Sequence, residues 1–331
     1  MATCAFRSPV ASRLQDFWEM RVALGRKGDS DHKILTGLDR FLMGELKPGC
    51  PITNGIADRW FKSMEHLSTG TRVNRMSMLR LFCMYLSQFD PRTCFIHKSF
   101  LPHRNRPAPY IYSEEEVSLI LDAARKMGPD GSLRPFVVST VIGLLYSTGL
   151  RIGEALKLTL AEVDIQGGLL TIRETKFNKS RYVPLSPSTV QHLADFMHQR
   201  EVAGFSTNPA APVFINASGN AYRREMICAL FLVIIRNLGI RGPKGVRGPR
   251  VHDFRHTFAV NRLAQWYRQD GNINAKLPLL ATYLGHTTLI GTETYLHATA
   301  ELLENTSKRF KNHFTIPFLK RDKGGRDAEE R

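Results

Sequence analysis

Residues 146–154 read Tyr-Ser-Thr-Gly-Leu-Arg-Ile-Gly-Glu, a short segment with a glycine turn ahead of an arginine. The turn predicts that Arg151 begins a helix and that Glu154 lies one turn later on the same side. Arginine stays charged when it is buried, and its planar guanidinium can bind two phosphate oxygens at once. Glu154 is placed to hold that guanidinium. Taken alone, such a pair is more often an ordinary surface ion pair.

A basic hairpin follows along the chain. Residues 168–174 and 181–185 have strand-like composition and flank a polar turn, which predicts an antiparallel pair. Lys176 and Lys179 lie in the turn. A hairpin tip can enter a DNA groove, and a lysine held near a phosphate can donate a proton. A solvated basic turn is the alternative, and the sequence does not decide which lysine would act.

The segment His252-Asp-Phe-Arg255 opens an amphipathic stretch, and its spacing puts His252 and Arg255 on one helix face. The motif is weak alone, because His103-Arg-Asn-Arg106 repeats it. That copy lies in a proline-rich segment where a helix cannot align the pair.

Two more polar residues come near the end of the chain. In Leu279-Leu-Ala-Thr-Tyr-Leu-Gly-His286, the glycine is expected to end a helix and expose His286. Tyr295 follows nine residues later. A lone tyrosine is more often a packed aromatic residue, which is the expectation for Tyr283.

Together, and in this order, Thr-Gly-Leu-Arg-Ile-Gly-Glu, His-Asp-Phe-Arg-His-Thr-Phe-Ala, Leu-Gly-His and the following Tyr resemble the tyrosine recombinase (phage integrase) signature. The resemblance covers residues 113–310. Residues 239–250 depart from it, since they are longer and more basic than the usual lead-in, which leaves their local structure open. The resemblance implies six catalytic residues and one supporting residue, which are Arg151, Lys176, His252, Arg255, His286 and Tyr295, with Glu154 in support.

The resemblance also implies a mechanism. Tyr295 would attack a DNA phosphate and form a 3′-phosphotyrosine, and Lys176 would protonate the leaving 5′-oxygen. No metal or other cofactor is expected. The implied partners are double-stranded DNA and further copies of the chain, with a homodimer on one site and a homotetramer in the synaptic complex. Related recombinases or accessory DNA-bending proteins are further possible partners.

The expected fold class is mainly α with a small antiparallel β-sheet (α+β). Apolar residues recur at helical spacing through residues 12–95. The expected organisation is a helical DNA-binding (core-binding) domain at 1–105, a linker at 106–112, a catalytic domain at 113–315 and a charged, disordered tail at 316–331. By resemblance, the two domains would form a clamp on DNA.

The chain is strongly basic, with 46 Lys and Arg against 30 Asp and Glu and a formal charge of +16. Such a charge attracts polyanions, of which nucleic acid is the commonest. A merely soluble basic protein is the plainer alternative, and for any single arginine a solvated helix face is favoured. As a group, the candidate DNA-binding residues are Arg72, Arg75, Arg80, Lys179, Arg181, Lys244 and Arg247.

The sequence indicates a cytoplasmic, nucleoid-associated protein. Its longest apolar run, residues 229–235, is far shorter than the ~20 residues that cross a bilayer. The five cysteines contain no Cys-x-x-Cys pair, which suits a reducing compartment and predicts no zinc site.

Two rival functions share parts of this pattern. A type IB topoisomerase uses the same kinds of residue without a partner site, and a non-enzymatic DNA-binding regulator would also be basic. The apolar residues after Tyr295, which include Leu302 and Phe310, could dock on a neighbouring protomer or pack on their own domain. These two alternatives stay open.

Overall fold

A computed structural model describes residues 6–26, 29–97, 109–128, 131–173, 180–269 and 273–285. The chain divides into two compact units, Met1–Pro107 and Ala108–Arg331. In the described residues the secondary structure is mostly helical with one small antiparallel sheet, which confirms the predicted fold class.

The described part of the first unit is built from four helices that enclose one apolar core. They are α1 (Ala11–Ala23), α2 (Asp29–Glu45), α3 (Asn54–Lys62) and α4 (Thr69–Leu86). The apolar positions that predicted helices here are buried, among them Leu14, Leu38 and Phe82. Thr53 caps α3 as expected, because its hydroxyl accepts a hydrogen bond from the Ile56 amide at 3.4 Å.

The second unit holds the remaining elements. Its helices are α5 (Glu114–Arg125), α6 (Arg134–Thr148), α7 (Ile152–Ala155), α8 (Pro187–Val202), α9 (Arg224–Asn237), α10 (Asp253–Arg268) and α11 (Ile273–Leu284), with one 3₁₀ turn at Leu160–Glu162. Its strands are β1 (Val163–Asp164), β2 (Leu169–Ile172) and β3 (Arg181–Pro184).

The sheet contains the predicted hairpin. Strands β2 and β3 pair antiparallel, with Leu170 opposite Val183 and Ile172 opposite Arg181. Strand β1 adds to the other edge of β2 and was not predicted from the sequence. This register places Arg181 at the first paired position after the hairpin turn.

Two helix starts follow their predicted capping residues. Ser113 and Glu116 form a capping box at α5, since each side chain bonds the backbone amide of the other. Ser186 caps α8 and Pro187 occupies its first position.

Helix α6 is the centre of the second unit, and it contacts α5, α8 and α10. Its valines and leucines are buried on every side, which fixes the position of its carboxyl end. A smaller apolar cluster joins α10 to α11 through residues that include Phe258, Leu263 and Leu284. The ends of α6, α10 and α11 are therefore held by packing.

The second unit begins ahead of α5. Tyr112, which the sequence analysis placed in the linker, is 2% exposed and stacks on Phe254 with ring centroids 4.6 Å apart. Its amide donates to Thr257 Oγ1 at 3.0 Å and its hydroxyl to the Arg250 carbonyl at 3.1 Å. These contacts tie Tyr112 to α10 and to Arg250 ahead of it, and the expected linker at 106–112 stays a prediction.

Among the described residues, none of the helices combines the length and the apolar character that a bilayer span requires.

Candidate active site

Gly149 forms the turn that carries Arg151. It ends α6 with φ at +63°, and a Cβ built there would lie 2.6 Å from the Phe258 ring. Both the left-handed backbone and the close ring favour glycine at this position. The turn then delivers Arg151 as the residue that precedes α7.

Arg151 and Glu154 form a short, partly buried ion pair. Nη1 of Arg151 donates to Oε1 of Glu154 at 2.7 Å, and the Arg151 amide donates to the other carboxylate oxygen at 3.1 Å. The remaining terminal nitrogen of Arg151 lies 3.4 Å from the Gly285 carbonyl. The arginine side chain is 35% exposed, so its guanidinium is held on one side and open to solvent on the other.

Arg255 is the largest fully buried side chain among the described residues, at 2% exposed. It projects from α10, and its terminal nitrogens donate to the Gly149 carbonyl at 2.9 Å and the Leu284 carbonyl at 2.6 Å. The guanidinium is therefore fixed to the turn after α6 and to the end of α11. Arg151 and Arg255 thus bond to consecutive carbonyls, those of Gly285 and Leu284.

His252 is an exposed residue at the amino end of α10. Its ring is 5.1 Å from that of His256, measured between centroids. Packing around the ring, and then the neighbouring His256 and Arg255, lower the pKa of His252 to about 4. The imidazole is consequently neutral at neutral pH.

Asp253, inside the same motif, holds the backbone ahead of α10. It is 1% exposed and accepts from the Arg250 amide at 2.7 Å and from the Arg250 guanidinium at 3.0 Å. No role was predicted for Asp253 from the sequence. Its position inside the His252–Arg255 motif was the sequence feature that could have indicated a role.

Arg181 was expected to contact DNA, but its guanidinium points into the protein. The side chain is 10% exposed and bonds Glu154 at 2.8 Å and the Tyr283 carbonyl at 2.7 Å. Burial alone would raise the pKa of Glu154, but the bonds from Arg181 and then from Arg151 outweigh it and hold the pKa below its ordinary value. Glu154 is thus an ionised carboxylate shared by two arginines.

Gly285 ends α11 with φ at +69°, as expected for the residue ahead of His286. The predicted positions Lys176, Lys179, His286 and Tyr295 lie outside the described residues. Tyr283 is half-buried and stacks on Phe258 with centroids 5.5 Å apart, the packed role expected for it.

The basic stretch before α10 forms an organised loop. Arg241 donates to the carbonyls of Gly248 and Pro249, and to that of Val246 at 3.3 Å. Lys244 and Arg247 are exposed on this loop. Arg241 therefore fixes the loop from inside, a role that the sequence analysis missed.

The candidate DNA-binding arginines of the first unit lie on α4 and have different surroundings. Arg72 stacks over the Phe61 ring at 4.0 Å, and Arg80 Nε donates to the Ile96 carbonyl at 3.0 Å. Arg75 lines a surface pocket of about 460 Å³ together with Lys33 and Arg40. Arg72, Arg75 and Arg80 form no ion pair with any residue in the described parts of the chain.

Residues 111–301, more than half of the chain, match the Phage integrase family. The chain belongs to this family. The prediction of a tyrosine recombinase, made from the order of the motifs, is confirmed, and with it the expectation of a site-specific recombinase enzyme.

Two relatives illustrate the membership. The protein named "Putative integrase/recombinase y4rB" of Sinorhizobium fredii is 35% identical over 305 residues, which cover 91% of this chain and 96% of the relative. Tyrosine recombinase XerC of Chlamydia caviae is 27% identical over 254 residues, which cover 75% of this chain and 74% of the relative.

Solved structures share the fold. The integrase of transposon Tn1549, in complex with transposon right end DNA, matches with a TM-score of 0.64 at 17% identity, over 89% of this chain and 99% of its own. The XerH site-specific recombinase, bound to a palindromic difH substrate, matches with a TM-score of 0.62 at 21% identity, over 82% of this chain and 76% of its own.

Proposed function

We propose that this recombinase cleaves and rejoins DNA at a specific site through a 3′-phosphotyrosine intermediate, in the service of a phage or another mobile element. The observation that carries the proposal is the placement of Arg151 and Arg255. Their guanidinium groups bond consecutive carbonyls at the end of α11, and both belong to the family motifs. Two fixed cations side by side suit the non-bridging oxygens of one phosphate.

The arginines supply charge stabilisation. As a nucleophile adds to a phosphodiester, negative charge grows on the non-bridging oxygens, and preorganised donors stabilise that charge most when they need not move. Arg255 is fixed by packing and by two carbonyls, and Arg151 is fixed by Glu154. In the proposed reaction the cleavage step therefore needs no metal ion.

The remaining catalytic roles are assigned by the family motifs. Tyr295 attacks the phosphorus and displaces the 5′-oxygen, which Lys176 protonates. His286 donates a hydrogen bond to the phosphate. His252 assists proton movement near Tyr295. A 5′-hydroxyl of the partner duplex then attacks the phosphotyrosine and reverses the chemistry, so that the number of phosphodiester bonds is unchanged.

Both units are proposed to bind the same duplex. In the first unit, Lys33, Arg40 and Arg75 surround one pocket, an arrangement that suits backbone phosphates. In the second, the loop that Arg241 organises exposes Lys244 and Arg247. The Tn1549 integrase and XerH complexes, both with DNA, support a DNA partner. The proposal includes a homodimer on one site, a homotetramer in the synaptic complex and association with the nucleoid.

The proposal is tested by strand exchange in excess EDTA. Duplexes bound by the full chain are first selected from random or host DNA, and two differently marked copies are then mixed with the protein. Recombinant strands and a covalent protein–DNA adduct are expected. Relaxation of a supercoiled plasmid without strand exchange would favour a type IB topoisomerase. Binding without any adduct would favour a regulator, and a strict requirement for added Mg²⁺ in cleavage would contradict the charge role of the arginines.

A further inference from the structure

Arg181 has no part in the proposed chemistry, yet it contacts two of the segments that carry it. Nη2 donates to Glu154 Oε2 at 2.8 Å, Nη1 lies 3.4 Å from Oε1, and Nε donates to the Tyr283 carbonyl at 2.7 Å. The side chain is 10% exposed, as is that of Glu154. Each of the three guanidinium nitrogens therefore has a protein acceptor.

These contacts join three parts of the second unit. Arg181 is the first residue of β3, and its backbone is fixed by pairing with Ile172, the last residue of β2. Lys176 lies between these two strands in the sequence. Its side chain reaches the carboxylate that holds Arg151 and the last turn of α11, which leads to His286. One side chain thus connects the positions from which three proposed catalytic residues emerge.

The packing at the end of α11 is tight around this guanidinium. A Cβ built on Gly285 would lie 2.9 Å from Arg181 Nη1, so a side chain at position 285 would displace the arginine. Gly285 therefore serves two needs, the left-handed backbone that ends the helix and the close approach of Arg181.

The charges matter as much as the geometry. Glu154 accepts from two guanidinium groups, one from Arg151 and one from Arg181. With Arg181 present, the local sum over these three groups is one positive charge. Without it, Glu154 would neutralise Arg151 alone, and Oε2 would keep only the Arg151 amide as its donor. A guanidinium whose charge is cancelled stabilises a phosphate transition state less well.

We propose that Arg181 is a positioning residue that acts through Glu154, and that it keeps Arg151 aligned and its charge available for the scissile phosphate. This positioning role rests on the proposed function, because it assumes that the reaction is DNA cleavage through a phosphotyrosine. In this proposal Arg181 acts on Glu154 rather than on DNA, because each of its guanidinium nitrogens bonds Glu154 or the Tyr283 carbonyl.

The test compares Arg181→Met with Glu154→Gln, with the double variant and with Arg173→Met as the matched control. Arg173 follows Ile172, the residue that pairs with Arg181, but it is 66% exposed and its bond to Glu162 is long, at 3.4 Å. Methionine keeps most of the aliphatic length of arginine and removes the charge. Each variant is assayed on a nicked duplex of the selected sequence, which traps the covalent adduct.

Arg181→Met is expected to lower the rate of adduct formation at saturating DNA about 100-fold, the effect of a misaligned catalytic group. DNA affinity and its salt dependence should stay as in the unmodified chain. In the Glu154→Gln background the same change should cost less than about fivefold, because residues that act together are not additive. Arg181→Lys should recover part of the rate, and Arg173→Met should keep the full rate.

Two kinetic results would overturn the proposal. Full additivity of Arg181→Met and Glu154→Gln would mean that Arg181 does not act through the carboxylate. A loss of affinity with a shallower salt slope, at an unchanged saturating rate, would make Arg181 a phosphate contact.

Hydrogen exchange of the Arg151 amide separates this proposal from the proposed function. That amide bonds Glu154, so Arg181→Met should speed its exchange at least about tenfold if Arg181 fixes the carboxylate. Unchanged exchange overturns the positioning role whatever the enzyme does. If instead the unmodified chain forms no adduct while exchange responds as expected, the proposed reaction fails and the positioning of Glu154 stands.

Discussion

Arg151 and Arg255 are proposed to bind one phosphate, but they differ in how much the folded structure depends on them. Arg151 is 35% exposed and bonds mainly to Glu154 within its own turn. Arg255 is 2% exposed and satisfies two backbone carbonyls from different segments. The first is therefore expected to serve chemistry alone, and the second both chemistry and folding.

Arg151→Ala should lower the rate of adduct formation about 10²- to 10³-fold, the cost of losing one preorganised donor. Its free energy of unfolding should change by less than about 1 kcal/mol, because the ion pair is local and partly exposed. Arg255→Ala should lower the rate similarly and also the free energy of unfolding, by about 1–3 kcal/mol, since two carbonyls lose their partner. Urea unfolding and adduct kinetics measure both. Equal stability losses in the two variants would contradict this assignment.

The choice between Lys176 and Lys179 as general acid depends on the leaving group. An alkoxide needs a proton to leave, whereas a thiolate leaves readily. On DNA with sulfur at the bridging 5′ position, Lys176→Ala should cleave at nearly the rate of the unmodified chain, while it is crippled on ordinary DNA. Lys179→Ala should show a smaller defect on both substrates. Rescue of Lys179→Ala alone would move the role to Lys179, and rescue of neither would leave the hairpin a DNA contact.

Contacts between residues close in sequence could be predicted, but contacts between distant residues could not. The pairing of Arg151 with Glu154 follows from a spacing of three residues on one turn. The inward turn of Arg181 depends on Glu154 and on the Tyr283 carbonyl, which is 102 residues away along the chain. Nothing near Arg181 in sequence indicates that acceptor, so it looked like any other basic residue of a hairpin.

The amino end of α10 concentrates ionisable groups on one element. His252 and His256 lie one turn apart, and Asp253 and Arg250 pair beside them. Removal from water lowers the pKa of both histidines, and nearby positive charge lowers it further. The folded state thus favours the neutral form of His252, while the unfolded chain would titrate near pH 6.5.

This difference predicts a pH dependence of stability. Between about pH 6.5 and pH 4 the unfolded chain binds a proton that folded His252 does not, so the stability contributed by the neutral form is lost as the pH falls. Melting temperatures measured across this range should therefore fall less steeply in His252→Gln than in the unmodified chain. Identical slopes for the two proteins would show that His252 titrates normally in the folded state.

Elements with strong local chemistry were predictable, and very short ones were not. Thr53, Ser113 and Ser186 each begin a helix because their hydroxyls satisfy free amides, which is a property of a few adjacent residues. Strand β1 has two residues, too few to show the alternation that identifies a strand. It forms because it pairs with the free edge of β2, and this pairing depends on the tertiary structure.

The whole molecule combines a strong positive charge with two compact units. In the proposed function both units contact DNA, so affinity should come from many phosphate contacts distributed over the chain. Binding should then fall steeply with salt through counterion release.

Comparison of the full chain with residues 108–331 tests this distribution. The shorter chain should bind the selected DNA more weakly, with a shallower slope of log affinity against log salt, and should distinguish sites less well. Titrations at several salt concentrations measure the slope, and a scrambled duplex measures the discrimination. Equal affinity and equal slope for the two chains would show that residues 1–107 do not contribute to DNA binding.

The central claim is that Tyr295 forms the covalent bond to DNA, and the adduct itself tests it. Tyr295→Phe removes only a hydroxyl, so DNA binding should persist while the covalent product disappears. Tyr283→Phe is the matched control, since Tyr283 is stacked on Phe258 and burial raises its pKa to about 12. On a nicked duplex of the selected sequence, we predict adduct from Tyr283→Phe and none from Tyr295→Phe. Adduct from Tyr295→Phe, with none from Tyr283→Phe, would contradict the account.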